Sequence, residues 1–345
     1  LSNNPIKPGR VTWTSPSNIA LVKYWGKYGR QLPTNPSISL TLSQAYTETT
    51  VAYAPSDKPS YTFTFEGQKK PAFEKKVVNY LESIRDVFPL VSRLDLKIDS
   101  RNTFPHSSGI ASSASSMSAL AMCLVDIAKQ VSSSSELDLR LASELARLGS
   151  GSASRSVYGP VAIWGDNATT KEASNNYAIP YVEGIAEIFS SYHDDILIIS
   201  KSEKSVSSRA GHALMDNNPY ALNRYEQAHR HLGEIIAAMQ NGDLEKFGSI
   251  VEKEALTLHA LMMASEPPYM LMEPNTLAAI NRIQTYRKEK NIPVYFTLDA
   301  GPNIHLLYPH QYADDIYIFK NELATYCADG RIIEDRVGTG PIKKA

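Results

Sequence analysis

Cysteine is almost absent. Cys123 and Cys327 are the two in 345 residues, so no disulfide framework is expected and a reducing, cytoplasmic compartment is the simplest one. No apolar run reaches the length of a membrane span, and no charged-then-apolar leader is seen. CxxC and HExxH do not occur, and His and Cys do not cluster, which argues against a zinc site. Charge of one sign is also missing. The formal net charge is -1, so no global field recruits nucleic acid or an anionic membrane, and any anion site must be local. What remains is the composition of a soluble globular protein, long enough that two domains are the default.

The first half reads as strands followed by helices. Ile38, Leu40 and Leu42 alternate in Ser37–Ser43, as do Tyr61, Phe63 and Phe65, and Leu94, Leu96 and Ile98. Each is a period-two strand with one buried face. Val11, Trp13 and the Ile19–Val22 run suggest further strands. Met117, Leu120, Ala121, Leu124, Ile127 and Ala128 step by three and four, which is helical, and Leu137, Leu141, Leu145 and Leu148 mark a second helix that Gly149 can end.

In the second half, Ile196–Ile199 reads as a buried strand. Helical patterns cover roughly Tyr220–Met239, Leu244–Met263 and Asn275–Lys288. VYFTLDAGPNIHLLYP reads as strand, Gly301-Pro302 turn, strand, and a last helix lies around Ala313–Tyr326, followed by a short strand. Strands cluster instead of alternating with helices, so the expected class is α+β with antiparallel sheets, and the domain boundary is placed near residue 190.

Four segments can carry chemistry. Pro105–Ser116, PHSSGIASSASS, follows a strand and opens a helix. Its small residues let a ligand approach the backbone, and the helix start offers free N–H groups and hydroxyls to phosphate or Mg²⁺. A serine-rich cap packed closely for its own sake fits equally well. Gly149–Gly159, GSGSASRSVYG, sets Arg155 among small residues, either as a fork for carboxylate or phosphate or as a surface arginine on a turn. Asp299 precedes a Gly-Pro turn, where aspartate is common for structural reasons and where catalytic carboxylates also occur. In Asn18–Lys27, NIALVKYWGK, Lys23 follows four apolar residues. An ammonium there needs a partner, and Asp299 is the acid to test.

Taken together, NIALVKYWGK, LPTNPSISLTLS, NTFPHSSGIASSAS, RLGSGSASRSVYG, LHALMMASEPPY and LDAGPN, with the tail VGTGP, resemble the mevalonate diphosphate decarboxylases of the GHMP kinase superfamily. The glycine-serine loop alone suggests any GHMP kinase; the combination with KYWGK, SGSASRS and DAGPN is specific to the decarboxylase branch. The resemblance implies an α+β, two-domain GHMP fold. It has a ribosomal-S5-like N-terminal domain (1–190), a ferredoxin-like C-terminal domain (191–345), a site in the cleft between them, and a homodimer. It implies ATP- and Mg²⁺-dependent decarboxylation of mevalonate 5-diphosphate to isopentenyl diphosphate, with ADP, phosphate and CO₂ released. Asp299 would accept or orient the 3-hydroxyl proton, and Lys23 would keep it ionised. Arg155, helped by Asn18, would hold the substrate carboxylate. Tyr24, Lys27, Ser150 and Ser152 would hold the 5-diphosphate. Pro105, Ser108, Gly109, Ala111, Ser112 and Ser113 would cradle ATP, with Ser113 near Mg²⁺.

Three positions depart from the family pattern. His106 stands among residues that are usually small. Ser154 stands where cysteine is frequent. Lys76 stands where an arginine usually helps hold the diphosphate, and it meets phosphate as a point charge instead of a fork. The alternatives are therefore a decarboxylase of mevalonate 5-phosphate, a mevalonate 3-kinase, and a non-catalytic nucleotide-binding sensor. Asp299, Lys23 and Arg155 together weigh against the last two. Lys69–Lys76 and Ser202–Ser208 are candidate lids.

Overall fold

The computed structural model describes residues 6–105, 112–202 and 206–344. In chain order the first half runs β1 (Gly9–Val22), β2 (Lys27–Tyr28), β3 (Leu32–Pro33), β4 (Ser37–Pro55), β5 (Tyr61–Phe65), β6 (Gln68–Lys69), α1 (Pro71–Ser83), β7 (Leu94–Asn102), α2 (Ser112–Ser132), α3 (Leu139–Gly149), β8 (Val161–Trp164) and β9 (Ala178–Pro180). The second half runs β10 (His193–Leu197), α4 (Ser208–Ala213), α5 (Ala221–Asn241), α6 (Leu244–Met263), α7 (Pro274–Lys290), β11 (Tyr295–Thr297), β12 (Ile304–Tyr308), α8 (Ala313–Leu323), β13 (Ile332–Ile333) and β14 (Ile342–Lys344).

Two main sheets organise these elements, beside a two-stranded one of β2 and β3. The larger has the order β14-β1-β4-β7-β5-β6, with β8 and β9 continuing from β4; the smaller has the order β11-β12-β10-β13. The long strands β1 and β4 pair antiparallel from Gly9↔Tyr53 to Val22↔Ile38, with register shifts at Pro16/Asn18 and Ala20/Val22. The pairing is antiparallel as expected with one exception among the described strands, because β5 and β7 run parallel. The chain crosses between them through α1, whose Val77, Tyr80 and Leu81 are buried. A crossover of that kind is what a parallel pair requires. Sequence reading assigned no helix there, since the segment opens as a lysine-rich stretch.

Helix ends follow local chemistry. Asp138 and Asp243 accept hydrogen bonds from the Leu141 and Lys246 amides and so cap α3 and α6. Gly242, at φ +67°, closes α5 in the left-handed conformation.

The three largest apolar clusters among the described residues hold the layers. Trp13, Val51, Leu96 and Ile98 pack on Leu120, Leu124 and Leu145 of α2 and α3. Leu197, Phe296 and Leu306 pack on Ile280, Ile283 and Phe319 of α7 and α8. The third joins the two halves: Ile19, Leu21, Ile38 and Leu40 meet Ala228, Leu232 and Ile235 of α5 and Phe247 and Val251 of α6. Each Leu or Ile fully buried there contributes about 1.5–3 kcal/mol, so this seam is held like a core. It also brings the end of β1 against α5 and α6. Among the described residues, no helix is long and apolar enough to cross a membrane.

Candidate active site

Lys23 sits one residue past the end of β1. Its side chain is 2% exposed, and Nζ lies 2.9 Å from Oδ1 of Asp299, which is 26% exposed. The pairing expected from the apolar run is therefore present, and it answers why a lysine can follow Ile19–Val22 into the interior. Asp299 lies in the turn between β11 and β12, where the Gly301 amide donates to its carbonyl at 2.7 Å. Nε2 of His259, on α6, lies 3.1 Å from that same carbonyl.

Arg155 is carried by a short 3₁₀ segment, Gly151–Val157, directly after α3. It is 2% exposed. Nη1 donates to Ser37 Oγ at 2.6 Å, and Nε and Nη2 donate to Asn18 Oδ1 at 3.3 and 3.2 Å. Asn18 is oriented in turn by donating through Nδ2 to the Ser152 carbonyl at 3.1 Å and to Ser156 Oγ at 2.7 Å. Both direct acceptors of the guanidinium are neutral. Burial pushes the Arg155 pKa down to about 10, against the opposing charge of Asp299 and then of Tyr24. At neutral pH the group is a cation whose hydrogen-bond acceptors among the described residues are neutral, with Asp299 the carboxylate whose charge bears on it.

Tyr24 packs on Trp164 with ring centroids 4.7 Å apart and on His212 at 4.4 Å. Among the described residues its buried hydroxyl has no hydrogen-bond partner. Burial raises its pKa, opposed by the charges of Arg155 and Arg147. Gly151 has to be a glycine here, because a Cβ would meet the Tyr24 hydroxyl at 2.8 Å and the Trp164 ring at 2.9 Å. Lys27 is partly buried and donates to Gln31 Oε1 at 2.7 Å. Burial, and then the charge of Arg209, lower its pKa. Gly26, at φ +104°, makes the bend between Tyr24 and Lys27, and its amide donates to His212 Nδ1 at 3.0 Å.

The helix start and the glycine-serine turn meet. Ser113 Oγ, in the first turn of α2, is 3.2 Å from Ser150 Oγ, which follows α3. Ser152 takes part through its carbonyl, as above. Ser112 begins α2 and Pro105 immediately precedes residues outside the description. Ser108, Gly109, Ala111 and the unusual His106 lie outside the described residues, as do 203–205 of one candidate lid. Lys76 is exposed on α1, its ammonium 5.9 Å from the centroid of the Phe73 ring, and it makes no ion pair among the described residues. The buried Ser154, where cysteine is frequent, spends its hydroxyl on the Gly151 carbonyl at 2.8 Å, so it shapes the turn that carries Arg155.

Sequence reading missed several groups. Ser37 holds Arg155, Arg209 bears on Lys27, and His212 is wedged between Tyr24 and Trp25, the latter at 4.5 Å. Behind Lys23 lies a buried ionic cluster of Glu254, Arg224 and His231. A signal for the cluster was present. Arg224 falls in step with Ala221, Ala228 and Leu232, and Glu254 with Val251 and Leu258, so both charges stand on apolar helical stripes.

Comparison with known proteins identifies the family. Residues 15–176 match the diphosphomevalonate decarboxylase-like N-terminal domain, and residues 195–339 match the mevalonate 5-diphosphate decarboxylase C-terminal domain. The chain is 30% identical over 328 residues to the diphosphomevalonate decarboxylase of Ganoderma lucidum, covering 89% of this chain and 80% of that one. It superposes on the mevalonate diphosphate decarboxylase of Staphylococcus aureus with a TM-score of 0.84 at 30% identity, covering 98% of both. It superposes with a TM-score of 0.83 at 29% identity on a structure described as MDDEF in complex with MVAPP, AMPPCP and magnesium, covering 97% of this chain and 98% of that one. The fold is of the GHMP type that sequence reading expected, and the chain belongs to the diphosphomevalonate decarboxylase family.

Proposed function

We propose that this chain catalyses the ATP-dependent decarboxylation of mevalonate 5-diphosphate to isopentenyl diphosphate, releasing ADP, phosphate and CO₂. The observation that carries the reading is the convergence of a paired but partly open carboxylate, Asp299 with Lys23, and a buried guanidinium, Arg155, whose direct acceptors are neutral. The reaction needs both. A tertiary hydroxyl leaves poorly, so it must first be phosphorylated. Asp299 receives or orients its proton as the oxygen attacks the γ-phosphorus of ATP, and Lys23 keeps the carboxylate anionic and offsets charge on the phosphoryl group. When the 3-phosphate departs, the carbon it leaves becomes electron-poor. The adjacent C–C bond then supplies its electron pair to form the alkene, and CO₂ is released. Arg155 holds the substrate carboxylate in the orientation that this elimination requires, with Asn18 fixing the guanidinium.

The remaining assignments follow the chemistry of the side chains. Tyr24 has a buried hydroxyl without a hydrogen-bond partner among the described residues, and Lys27 a cation pressed by Arg209; with Ser150 and Ser152 they make the wall for the 5-diphosphate. Lys76 completes that end if α1 or the substrate brings it within reach. Pro105, Ser108, Gly109, Ala111, Ser112 and Ser113 form the ATP loop. Ser113 and Ser150 offer adjacent hydroxyls where the two ligands meet. Ser113 is the hydroxyl that would hold a Mg²⁺ bound with ATP, and the ion would supply neutralisation of phosphate charge there. The reading extends to a boundary between two domains near residue 190, a homodimer and a cytoplasmic location. It is tested by offering Mg²⁺-ATP with mevalonate, its 5-phosphate and its 5-diphosphate separately. ADP release is expected with the 5-diphosphate; a preference for the 5-phosphate would contradict the substrate assignment.

A further inference from the structure

The ladder between β1 and β4 ends at Val22↔Ile38. Lys23 is therefore the first residue whose main chain has left the sheet while still being buried. Its N–H and C=O need partners there, and they find side chains, not a strand. The N–H donates to Glu254 Oε2 at 2.8 Å. The carbonyl accepts from Arg224 Nη2 at 2.9 Å and from Asn35 Nδ2 at 3.0 Å.

Glu254 is itself fully enclosed. It takes two hydrogen bonds from Arg224, at 2.8 and 2.6 Å, and lies 2.5 Å from His231 Nδ1. Burial alone would raise its pKa, but the charge of Arg224, the hydrogen bonds from His231 and Arg224, and the Lys23 amide bring it down to about 2. The carboxylate is thus a fixed anion, gripped on both oxygens. As a way of filling a core, such a cluster has little advantage over apolar side chains of similar volume. Its neighbours on α6, Val251, Ala255 and Leu258, are of that apolar kind.

The same helix reaches the other member of the catalytic pair. His259, five positions along α6, contacts the Asp299 carbonyl at 3.1 Å. One rigid element therefore touches the main chains of both residues: Lys23 through Glu254, and Asp299 through His259.

From this arrangement we propose that Glu254 is a positioning residue: with Arg224 it fixes the Lys23 main chain, so that α6 sets the Lys23–Asp299 distance on which phosphoryl transfer depends. The inference rests on the reaction proposed above. Its test separates positioning from stability by replacing the whole cluster with apolar residues, Glu254→Leu, Arg224→Met and His231→Phe together. The single change Glu254→Gln strands a buried arginine and lowers both Tm and kcat. The triple variant recovers most of the Tm but keeps a loss in kcat of about 10²-fold, as expected for a misplacement of about 1 Å, with KM for ATP and mevalonate diphosphate within about threefold of wild type. Its crystal structure shows Lys23 Nζ beyond hydrogen-bond reach of Asp299.

Recovery of kcat along with Tm overturns the proposal, and so does a loss of kcat with the pair intact. If the triple variant does not fold, His259→Leu tests the arrangement from the Asp299 side. The same kcat-selective loss is expected there, and an unchanged kcat overturns the proposal. Wild-type enzyme without turnover on mevalonate diphosphate would refute the reaction instead; the Lys23–Asp299 distance in the variants then still decides the positional role.

Discussion

Lys23 Nζ and Asp299 Oδ1 are 2.9 Å apart across 276 residues of chain, with the lysine enclosed and the carboxylate open on one side. That asymmetry suits a carboxylate that must meet a substrate hydroxyl while its counter-charge stays dry. Asp299→Asn keeps the shape and removes the base. Turnover is expected to fall by about 10²–10⁴-fold, while ATP affinity, measured by calorimetry, changes by less than about threefold. Wild-type turnover in this variant would remove Asp299 from its assigned role.

Arg155 is held on three of its nitrogens by Asn18 and Ser37. Arg155→Lys retains a charge but cannot satisfy both neighbours and a carboxylate. We expect kcat/KM for the acid substrate to drop by about 10²-fold in either Arg155→Lys or Arg155→Ala, with nucleotide binding preserved. Equal losses in ATP affinity would assign the guanidinium to the nucleotide instead.

Lys27, which the proposed function sets at the 5-diphosphate, lies in a partly buried position where Arg209 adds positive charge. Its removal should act on binding. Lys27→Ala is expected to raise KM for the diphosphate substrate by roughly tenfold and to weaken the dependence of KM on salt, with a smaller effect on kcat. A pure kcat defect would contradict a role in holding the anion.

His212 gives a pH signature in stability. Burial, with a further contribution from Lys27, pushes its pKa down to about 3, while in the unfolded chain it titrates near about 6.5. Between these values the unfolded state binds a proton that the folded state does not. The associated stability is present above about pH 6.5 and is lost as pH falls towards about 3, by at most about 1.4 kcal/mol per pH unit. His212→Gln keeps an acceptor for the Gly26 amide but cannot titrate. Urea unfolding of the variant should therefore show a shallower decline between pH 6 and pH 4.5 than wild type. Parallel curves would place the titration elsewhere.

Much of the frame was legible because period and burial agree. The three-and-four spacing over Leu244–Met263 coincides with α6, and the alternation in Tyr61–Phe65 with β5. Hidden from that reading were features fixed by distant partners. The parallel pairing of β5 and β7 depends on α1, whose opening lysines mask the spacing of Val77, Tyr80 and Leu81. In the site, the cost of burying Lys23 pointed to an acid partner, and Asp299 is that partner. The cluster behind Lys23 was harder to see, because Glu254 and Arg224 look like ordinary helix residues until their stripes are known to be buried. Lys76 was assigned by resemblance alone, and its position on the exposed face of α1 follows from the packing of that helix on β5.

The most direct test is the stoichiometry of a single reaction. Purified protein with Mg²⁺-ATP and mevalonate 5-diphosphate should release ADP and CO₂ in a one-to-one ratio and at the same rate. ADP without CO₂ would mean that the site phosphorylates without eliminating, and release of neither product would contradict the assigned chemistry.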